Sequence, residues 1–239
     1  MELSIILPTY KEKENLEILI PEIENEFQNT AHEIIVVDDG SRDGTRELIA
    51  EFNAKYQNIF LQERAGLLGI GSALRDGYNK AQGEIIVSSD ADCSFSAGDM
   101  RRIFEKTQAG YDMVLGYKVT DTPHDSTTRS KYNIRGWVEN FIISPASNMI
   151  IGLLTGIGLK NYNTDFRAIK NSTWKKIHTK EDKMFFLLET IVRARQSGAK
   201  ITEIPVTFSA RKAGESKVHF LKQAPQYLYK LIRLVFFEK

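Results

Sequence analysis

An alternation of strand-like and helix-like segments in the first half of the chain restricts the fold more than any other feature. Five short apolar runs, LSIIL, EIIVVDD, NIFLQER, EIIVSSD and YDMVLGYK, predict strands. The segments between them carry apolar residues at helical spacing. This order is typical of α/β proteins, so it predicts a mostly parallel central sheet with helices on both faces.

Length and composition limit the classes of protein to which the chain can belong. With 239 residues it is long enough for one large α/β domain. Its 32 basic and 31 acidic residues give a net charge of +1, which offers no basis for nucleic-acid binding. The single cysteine excludes an internal disulfide framework. The first residues lack a basic region before their apolar run, so we expect no signal peptide and a cytoplasmic protein.

Polar residues follow several of the predicted strands at the point where each strand ends. In α/β sheets, ligands bind beyond the carboxyl ends of the strands. The residues expected at this edge are Pro8, Thr9, Tyr10 and Glu12 after the first strand, Asp38 and Asp39 after the second, and Asp90 and Asp92 after the fourth. Five carboxylates are therefore expected to converge at one edge of the sheet.

The Asp90-x-Asp92 pair indicates a metal and a diphosphate. Side chains two residues apart in extended backbone point to the same side, and two carboxylates suit Mg²⁺ or Mn²⁺ together with substrate phosphates. Such pairs also occur on solvated loops, but this one follows an apolar strand. The histidines lack zinc-ligand spacing, Leu74 stands where a dinucleotide fingerprint needs a third glycine, and no P-loop sequence occurs. Cys93, beside two carboxylates, is interpreted as a packing residue.

Two apolar segments raise the question of membrane contact. Residues 141–159 carry no charge over about nineteen residues, close to the length of a membrane span. Pro145, Asn148 and several glycines instead favour a buried or interfacial helix pair. Residues 219–239 predict a basic, aromatic-rich amphipathic helix, which could lie on an anionic membrane or pack on its own domain. We therefore divide the chain into a catalytic domain at 1–218, with an acceptor loop and apolar helices at 118–160, and a C-terminal helix at 219–239.

Several separate blocks together resemble the family 2 glycosyltransferases, and within them the polyprenyl-phosphate sugar synthases of the dolichol-phosphate mannose synthase type. The blocks are SIILPTYKEKENL, EIIVVDDGSRDGT, GLLGIGSALRDGYNKAQGEIIVSSDAD, TDFRAIK and ITEIPVTFSARKAGESKV. Each is modest alone, but their order and spacing are specific. The resemblance implies a Rossmann-like nucleotide-binding fold of the glycosyltransferase A type and inversion at the anomeric carbon.

The resemblance also implies roles for individual residues. Nucleotide-sugar binding is expected of Pro8, Thr9, Tyr10, Glu12, Val37, Asp39, Gly69, Asp90, Ala91 and Asp92, although core packing is the alternative for Tyr10 and Val37. Metal binding is expected of Asp90, Asp92 and Ser94, and catalysis of Asp90, Asp92, Asp165 and Arg211. Acceptor-phosphate binding is expected of Lys118, Arg135, Arg167, Arg211 and Lys217.

Three positions depart from the family pattern. Lys118 stands where an arginine is usual, and a lysine lacks the bidentate fork. Ser94 replaces a glutamine that ligates the metal in many relatives, which leaves the third ligand open. Asp165 is an additional carboxylate, which could position the sugar, act as a base or cap the next segment.

These observations predict a metal-dependent hexosyltransferase that acts on a lipid phosphate. A lipid monophosphate is already anionic, so it needs cations more than a general base, and a Gln-x-x-Arg-Trp block typical of hydroxyl-glycosylating members is absent. The expected reaction moves mannose from GDP-mannose to dolichyl or polyprenyl phosphate with Mg²⁺ or Mn²⁺ at the cytoplasmic face of a membrane. The alternatives are UDP-glucose or UDP-N-acetylglucosamine as donor, a soluble glycan as acceptor, or a non-catalytic nucleotide-sugar-binding subunit. Membrane attachment could come from its own helices or from an anchoring protein subunit.

Overall fold

A computed structural model describes residues 1–118, 144–207 and 220–238. In these residues a seven-stranded sheet has the order β3-β2-β1-β4-β6-β5-β7. The strands are β1 Leu3–Thr9, β2 His32–Asp38, β3 Ile59–Glu63, β4 Ile85–Ser88, β5 Met113–Lys118, β6 Arg167–Lys170 and β7 Ile201–Val206. Only β6 pairs antiparallel with its neighbours β4 and β5. The prediction of a mostly parallel sheet is therefore confirmed.

The described helices connect the strands and cover the sheet. They are α1 Lys13–Glu26, α2 Thr45–Tyr56, α3 Ile70–Lys80, α4 Ala97–Gln108, α5 Ser144–Thr155, α6 Asn171–Trp174, α7 Phe185–Gln196 and α8 Phe220–Phe236. All five strands predicted from the first half of the sequence are present, in the predicted order. The short strand β6 was not predicted, because its four residues lie within the TDFRAIK motif and show no extended apolar run.

Two apolar cores lie on opposite faces of the sheet. Ile6 of β1 faces one core, together with α3 and α7, whereas Ile5 and Leu7 face the other, together with α1 and α4. This distribution follows from the two-residue period of a strand, which sends successive side chains to opposite faces. Helix α3 packs closely on the sheet at Gly77, where an added Cβ would lie 2.4 Å from Ile6 Cγ2. The sheet is thus covered on both faces, and ligands can reach it only along its edges.

Helices α5 and α8 lie at one side of the sheet and contact each other. Helix α8 also packs on α7, with Leu231 and Leu234 buried. For residues 141–159 we expected a helix pair; the described part shows the single helix α5, and residues 141–143 lie outside it. No helix in the described ranges combines the length and the apolar character needed to cross a bilayer.

Candidate functional site

The carboxyl ends of four parallel strands meet at one edge of the sheet. Thr9 of β1 lies opposite Asp38 of β2, and Asp38 lies opposite Glu63 of β3. On the other side of β1, Ile6 pairs with Ser88, the last residue of β4. The polar residues that follow β1, β2 and β4 are therefore brought together at this edge.

Beyond β2, both aspartates accept hydrogen bonds from the chain itself. The Asp38 carboxylate accepts from the Ser41 amide at 2.8 Å and from the Ser41 hydroxyl at 2.5 Å. Asp39 accepts from Arg64 Nη1 at 2.7 Å. Burial raises the pKa of Asp39 above its ordinary value, while the Arg64 guanidinium acts in the opposite direction. Burial is the larger of the two effects, so the pKa of Asp39 is raised on balance even though the ion pair with Arg64 favours the anionic form.

Arg64 connects Asp39, after β2, with Ser72 and Asp76 of α3, and it was not identified from the sequence. Its side chain is 3 % exposed, and it also contacts the Ser72 hydroxyl and Asp76 Oδ2, the latter at 3.2 Å. Arg64 follows β3 directly, so its signal was a charged residue at the end of an apolar strand. A guanidinium suits this position because its fork can hold several acceptors in one plane.

The residues after β1 differ in their accessibility. Tyr10 is 39 % exposed and can offer its ring to a ligand. Glu12 accepts from Asn15 Nδ2 at 2.5 Å, and Thr9 donates its hydroxyl to the Leu7 carbonyl at 3.0 Å. Pro8 and Val37 are buried, and Val37 belongs to the apolar core beneath α3, as the packing interpretation of this residue expected.

A groove of about 710 Å³ opens beside these residues. It lies between the segments that follow β2 and β3, and it provides space next to the Asp39–Arg64 pair. Its lining residues are Gly40, Ser41, Arg42, Gly44, Arg46, Glu47, Glu63, Arg64 and Ala65.

Gly69 lies at the beginning of α3 against the segment that precedes α7. A Cβ at this position would lie 2.4 Å from the Asp182 carbonyl oxygen, and the φ of Gly69 is +106°. The Gly69 carbonyl accepts from the Ser72 hydroxyl at 2.9 Å. Close packing thus explains why a glycine occupies position 69. The expected role of Gly69 in donor binding stays a prediction.

The Asp-x-Asp pair lies on the loop after β4. Ala91 and Asp92 are buried, and Asp92 Oδ1 accepts from the Ser94 amide at 3.0 Å, which folds the loop around its carboxylate. Between them in the turn, Cys93 has a φ of +59° and packs against the core beneath α1 and α4. These contacts agree with the interpretation of Cys93 as a packing residue.

The polar atoms of this loop fit a divalent cation. Ser94 is 1 % exposed, and its Oγ has no hydrogen-bond partner in the described part of the chain. A buried hydroxyl oxygen without a partner costs free energy unless a ligand satisfies it. Within the described ranges no three His, Cys, Asp or Glu side chains form a metal cluster. A cation here would be held by Asp90, Asp92 and Ser94 together with substrate oxygens.

Asp165 lies beside this loop because β6 runs antiparallel to β4. Ser88 Oγ donates to the Asp165 carbonyl at 2.6 Å, which fixes the start of β6 against the end of β4. The Asp165 side chain is 9 % exposed, and its Oδ2 has no hydrogen-bond partner among the described residues. A second buried oxygen without a partner is thus placed at the same edge.

Arg167 occupies a different environment from the one expected of an acceptor-phosphate ligand. Its side chain is fully buried, and it donates to the Thr164 carbonyl and, at 2.9 Å, to the Leu187 carbonyl. Burial lowers the pKa of Arg167, while neighbouring Tyr78 and Asp165 act in the opposite direction. In this structure the arginine holds the backbone before β6 and is not accessible to a lipid phosphate, because the two-residue alternation along β6 places it on the same face as Ile169, towards α7.

Lys118 is the expected acceptor cation that the structure places near the Asp-x-Asp loop. Its Nζ lies 5.8 Å from the centre of the Phe95 ring, and Phe95 stacks on Phe166 at 4.3 Å. The Lys118 ammonium therefore lies near the Phe95 ring on the loop after β4, and that ring in turn packs against the residue that precedes β6. The other expected acceptor cations, Arg135, Arg211 and Lys217, lie outside the described residues.

Two basic residues of α8, Lys230 and Arg233, are paired with acidic residues of the same chain. Lys230 Nζ lies 2.5 Å from Glu181 Oε2, and Arg233 Nε lies 2.7 Å from Glu238 Oε1. By contrast, α5 and α8 expose large apolar side chains: Met149, Ile150, Leu153, Leu228, Tyr229, Ile232 and Phe236. Apolar contact, more than charge, would therefore govern any contact of these helices with a membrane.

Sequence and structure comparisons identify the family. The chain is 31 % identical over its full length to a dolichol-phosphate mannosyltransferase of Pyrococcus furiosus, and it spans 65 % of that protein. It is 29 % identical to a polyprenol monophosphomannose synthase of Mycolicibacterium smegmatis, over 90 % of this chain and 80 % of the relative.

A solved structure of glucosyl-3-phosphoglycerate synthase from Mycobacterium tuberculosis, in complex with Mn²⁺, UDP and phosphoglyceric acid, shares the fold. Its TM-score is 0.67 at 15 % identity, over 98 % of this chain and 76 % of that one. The family model described as glycosyl transferase family 2 matches residues 4–193. The chain therefore belongs to glycosyl transferase family 2.

Proposed function

We propose that the protein transfers mannose from GDP-mannose to a polyprenyl phosphate such as dolichyl phosphate. The observation that carries this proposal is the adjacency of the Asp-x-Asp loop and the Asp165 segment at the edge where parallel strands end. The two relatives described above are named dolichol-phosphate mannosyltransferase and polyprenol monophosphomannose synthase, which supports a lipid phosphate as acceptor.

The nucleoside of the donor would lie over the ends of β1 to β3. Tyr10 is accessible there, and the groove beside Arg64 offers space for a base. The Asp39 carboxylate, held in place by its ion pair with Arg64, would accept hydrogen bonds from the base or ribose. Buried Pro8 and Val37 would support this site from beneath instead of through exposed side chains.

The diphosphate would lie at Asp90 and Asp92 with a divalent cation held by these residues and Ser94. Mg²⁺ or Mn²⁺ supplies positive charge to the leaving diphosphate. The buried Ser94 hydroxyl supports this placement, because it needs a ligand to complete its hydrogen bonding or coordination.

The acceptor phosphate would approach on the side of Lys118, near Phe95 and the start of β6. One phosphate oxygen attacks the anomeric carbon, the bond from that carbon to the diphosphate oxygen breaks, and nucleoside diphosphate leaves. Attack opposite the leaving group inverts the configuration. A phosphate is already anionic near neutral pH, so Asp165 is not needed to deprotonate it and would instead hold a sugar hydroxyl with its buried Oδ2.

A lipid acceptor requires access to a bilayer, for which α5 and α8 offer exposed apolar side chains. Leu153 is 78 % exposed on α5 and Phe236 is 57 % exposed on α8. We propose that these helices lie in the membrane interface at the cytoplasmic face. Replacing Leu153 by Asp should weaken vesicle binding about tenfold in a sedimentation assay, since burying one leucine contributes roughly 1.5–3 kcal/mol. Ile18→Asp is the control, because Ile18 is 42 % exposed but lies on α1, and this substitution should leave vesicle binding unchanged.

Donor and acceptor can be identified together in one experiment. The chain is incubated with Mg²⁺ or Mn²⁺, a short polyprenyl phosphate, and labelled GDP-mannose, UDP-glucose or UDP-N-acetylglucosamine. Label from GDP-mannose in the lipid phase, dependent on both metal and lipid phosphate, is the expected result. Consumption of a UDP sugar would instead establish the alternative donor, and transfer without lipid phosphate would establish a soluble acceptor. Donor binding with no turnover on any acceptor would contradict an enzymatic role.

A further inference from the structure

The segment that carries Asp165 is held by contacts from both surface helices. Residues 156–166, here called the Asp165 loop, connect α5 to β6. Asn148 of α5 donates to the Lys160 carbonyl. Tyr227 of α8 donates its hydroxyl to Asn163 Oδ1 at 2.6 Å, across 64 residues of sequence. Each helix therefore contacts the loop through a side-chain hydrogen bond.

The Tyr227 contact reaches close to the buried groups at the start of β6. Burial raises the pKa of Tyr227, and the charge of Arg167 acts in the opposite direction, so the phenol lies within electrostatic range of that buried arginine. The ring of Tyr227 packs edge-on against the ring of Phe185, with 4.8 Å between the ring centres. Asn163 is only two residues before Asp165. The phenol is thus fixed by packing at the place where it can set the path of the loop.

We propose that Tyr227 is a positioning residue, and that its hydrogen bond to Asn163 couples helix α8 to the placement of the Asp165 carboxylate. This inference rests on the proposed transfer reaction, in which Asp165 holds the donor sugar. A small displacement of a positioned group can lower a rate strongly while ground-state binding elsewhere is retained. The residues proposed to hold the nucleotide lie at the ends of β1 to β3, whereas Asn163 precedes β6, which is separated from β1 by β4 in the sheet, so loss of the hydrogen bond should act mainly on turnover and largely spare donor affinity.

The experiment compares Tyr227→Phe, Asn163→Ala and their combination in the full chain with vesicle-borne polyprenyl phosphate. Tyr227→Phe removes only the hydroxyl, and we expect kcat to fall about tenfold with the KM for donor within about twofold of the wild type. Asn163→Ala should cause a similar loss, and the double variant should be no slower than the slower single variant. Tyr56→Phe, a partly buried tyrosine on α2, is the matched control and should keep the wild-type kcat.

Three results would overturn the inference. The first is a wild-type kcat in Tyr227→Phe. The second is a double variant whose loss of kcat equals the product of the two single losses, which would mean that the two residues act independently. The third is a loss of kcat in proportion to a loss of vesicle binding, which would show that α8 serves only to bind the membrane. If Tyr227→Phe does not fold, Asn163→Ala tests the same hydrogen bond from the loop side. An inactive wild-type chain would refute the proposed transfer reaction itself and is thereby distinguished from a failure of the coupling.

Discussion

Beyond β2 and β3, the carboxylates of Asp38 and Asp39 accept hydrogen bonds from Ser41 and Arg64. At the β4 and β6 end of the same edge, by contrast, Ser94 Oγ and Asp165 Oδ2 are buried without a hydrogen-bond partner in the described residues. A hydrogen-bond network within the protein fixes a binding surface before the ligand arrives. A buried oxygen without a partner lowers the stability of the fold, and it is tolerated where a bound ligand supplies the missing partner. We interpret the first region as prearranged and, following the proposal above, call it the nucleotide half. The second region, proposed to need its substrates for completion, is called the transfer half.

The largest effect is expected from Asp92→Asn in the transfer half. Loss of the carboxylate charge should lower transfer by on the order of 10³-fold, because charge that develops on the diphosphate would no longer be neutralised through a bound cation. Turnover of labelled donor and circular dichroism of the folded chain measure activity and fold separately. The control is Glu84→Gln, because Glu84 is exposed and directly precedes β4, at the edge of the sheet opposite Asp92. Wild-type turnover in Asp92→Asn would eliminate the proposed diphosphate site.

A smaller effect, about 10²-fold on kcat, is expected from Asp165→Asn. If this carboxylate holds a sugar hydroxyl, the loss should appear in turnover of labelled donor while circular dichroism shows the fold retained. An unchanged kcat would remove Asp165 from the transfer half.

In the nucleotide half, Arg64→Lys should cost about 2 kcal/mol of unfolding free energy, since lysine cannot hold Asp39, Ser72 and Asp76 together. The KM for donor should also rise, because Asp39 would lose its fixed partner. Urea unfolding measures the first effect. Arg46→Lys is the stability control, because Arg46 is 69 % exposed and its ion pair with Glu63 should contribute little. Equal stability in the two variants would contradict the prearranged network.

The smallest effect concerns Asp112, at the opposite edge of the sheet. The backbone amide of Lys200 and then the Lys170 ammonium lower the pKa of this carboxyl. A lowered native pKa stabilises the fold at neutral pH, and that contribution is lost as the pH falls through the native pKa. We therefore expect Asp112→Asn to be about 1 kcal/mol less stable than the wild type at pH 7, with the difference closing below about pH 4. Unfolding at several pH values tests this, and a difference that grows in acid would contradict it.

Much of the fold followed from local sequence patterns. The first five strands and their connecting helices were predicted because the apolar period of a segment is a local property that the sequence displays directly. The same reasoning placed Asp38, Asp39, Asp90 and Asp92 at one edge, since parallel strands end together. Strand β6 was missed because its residues, RAIK, show no extended apolar run, unlike the equally short β4, whose IIVS is part of the apolar segment EIIVSSD.

The sequence by itself determined the mostly parallel sheet, the edge at which its strands end and the Asp-x-Asp pair on that edge. The tertiary structure decided which side chains meet: Arg64 pairs with Asp39, Arg167 is buried against α7, and Tyr227 reaches Asn163. These outcomes depend on contacts between segments that are remote in sequence. Such contacts are not encoded in the period of any single segment, and they arise only when the segments pack.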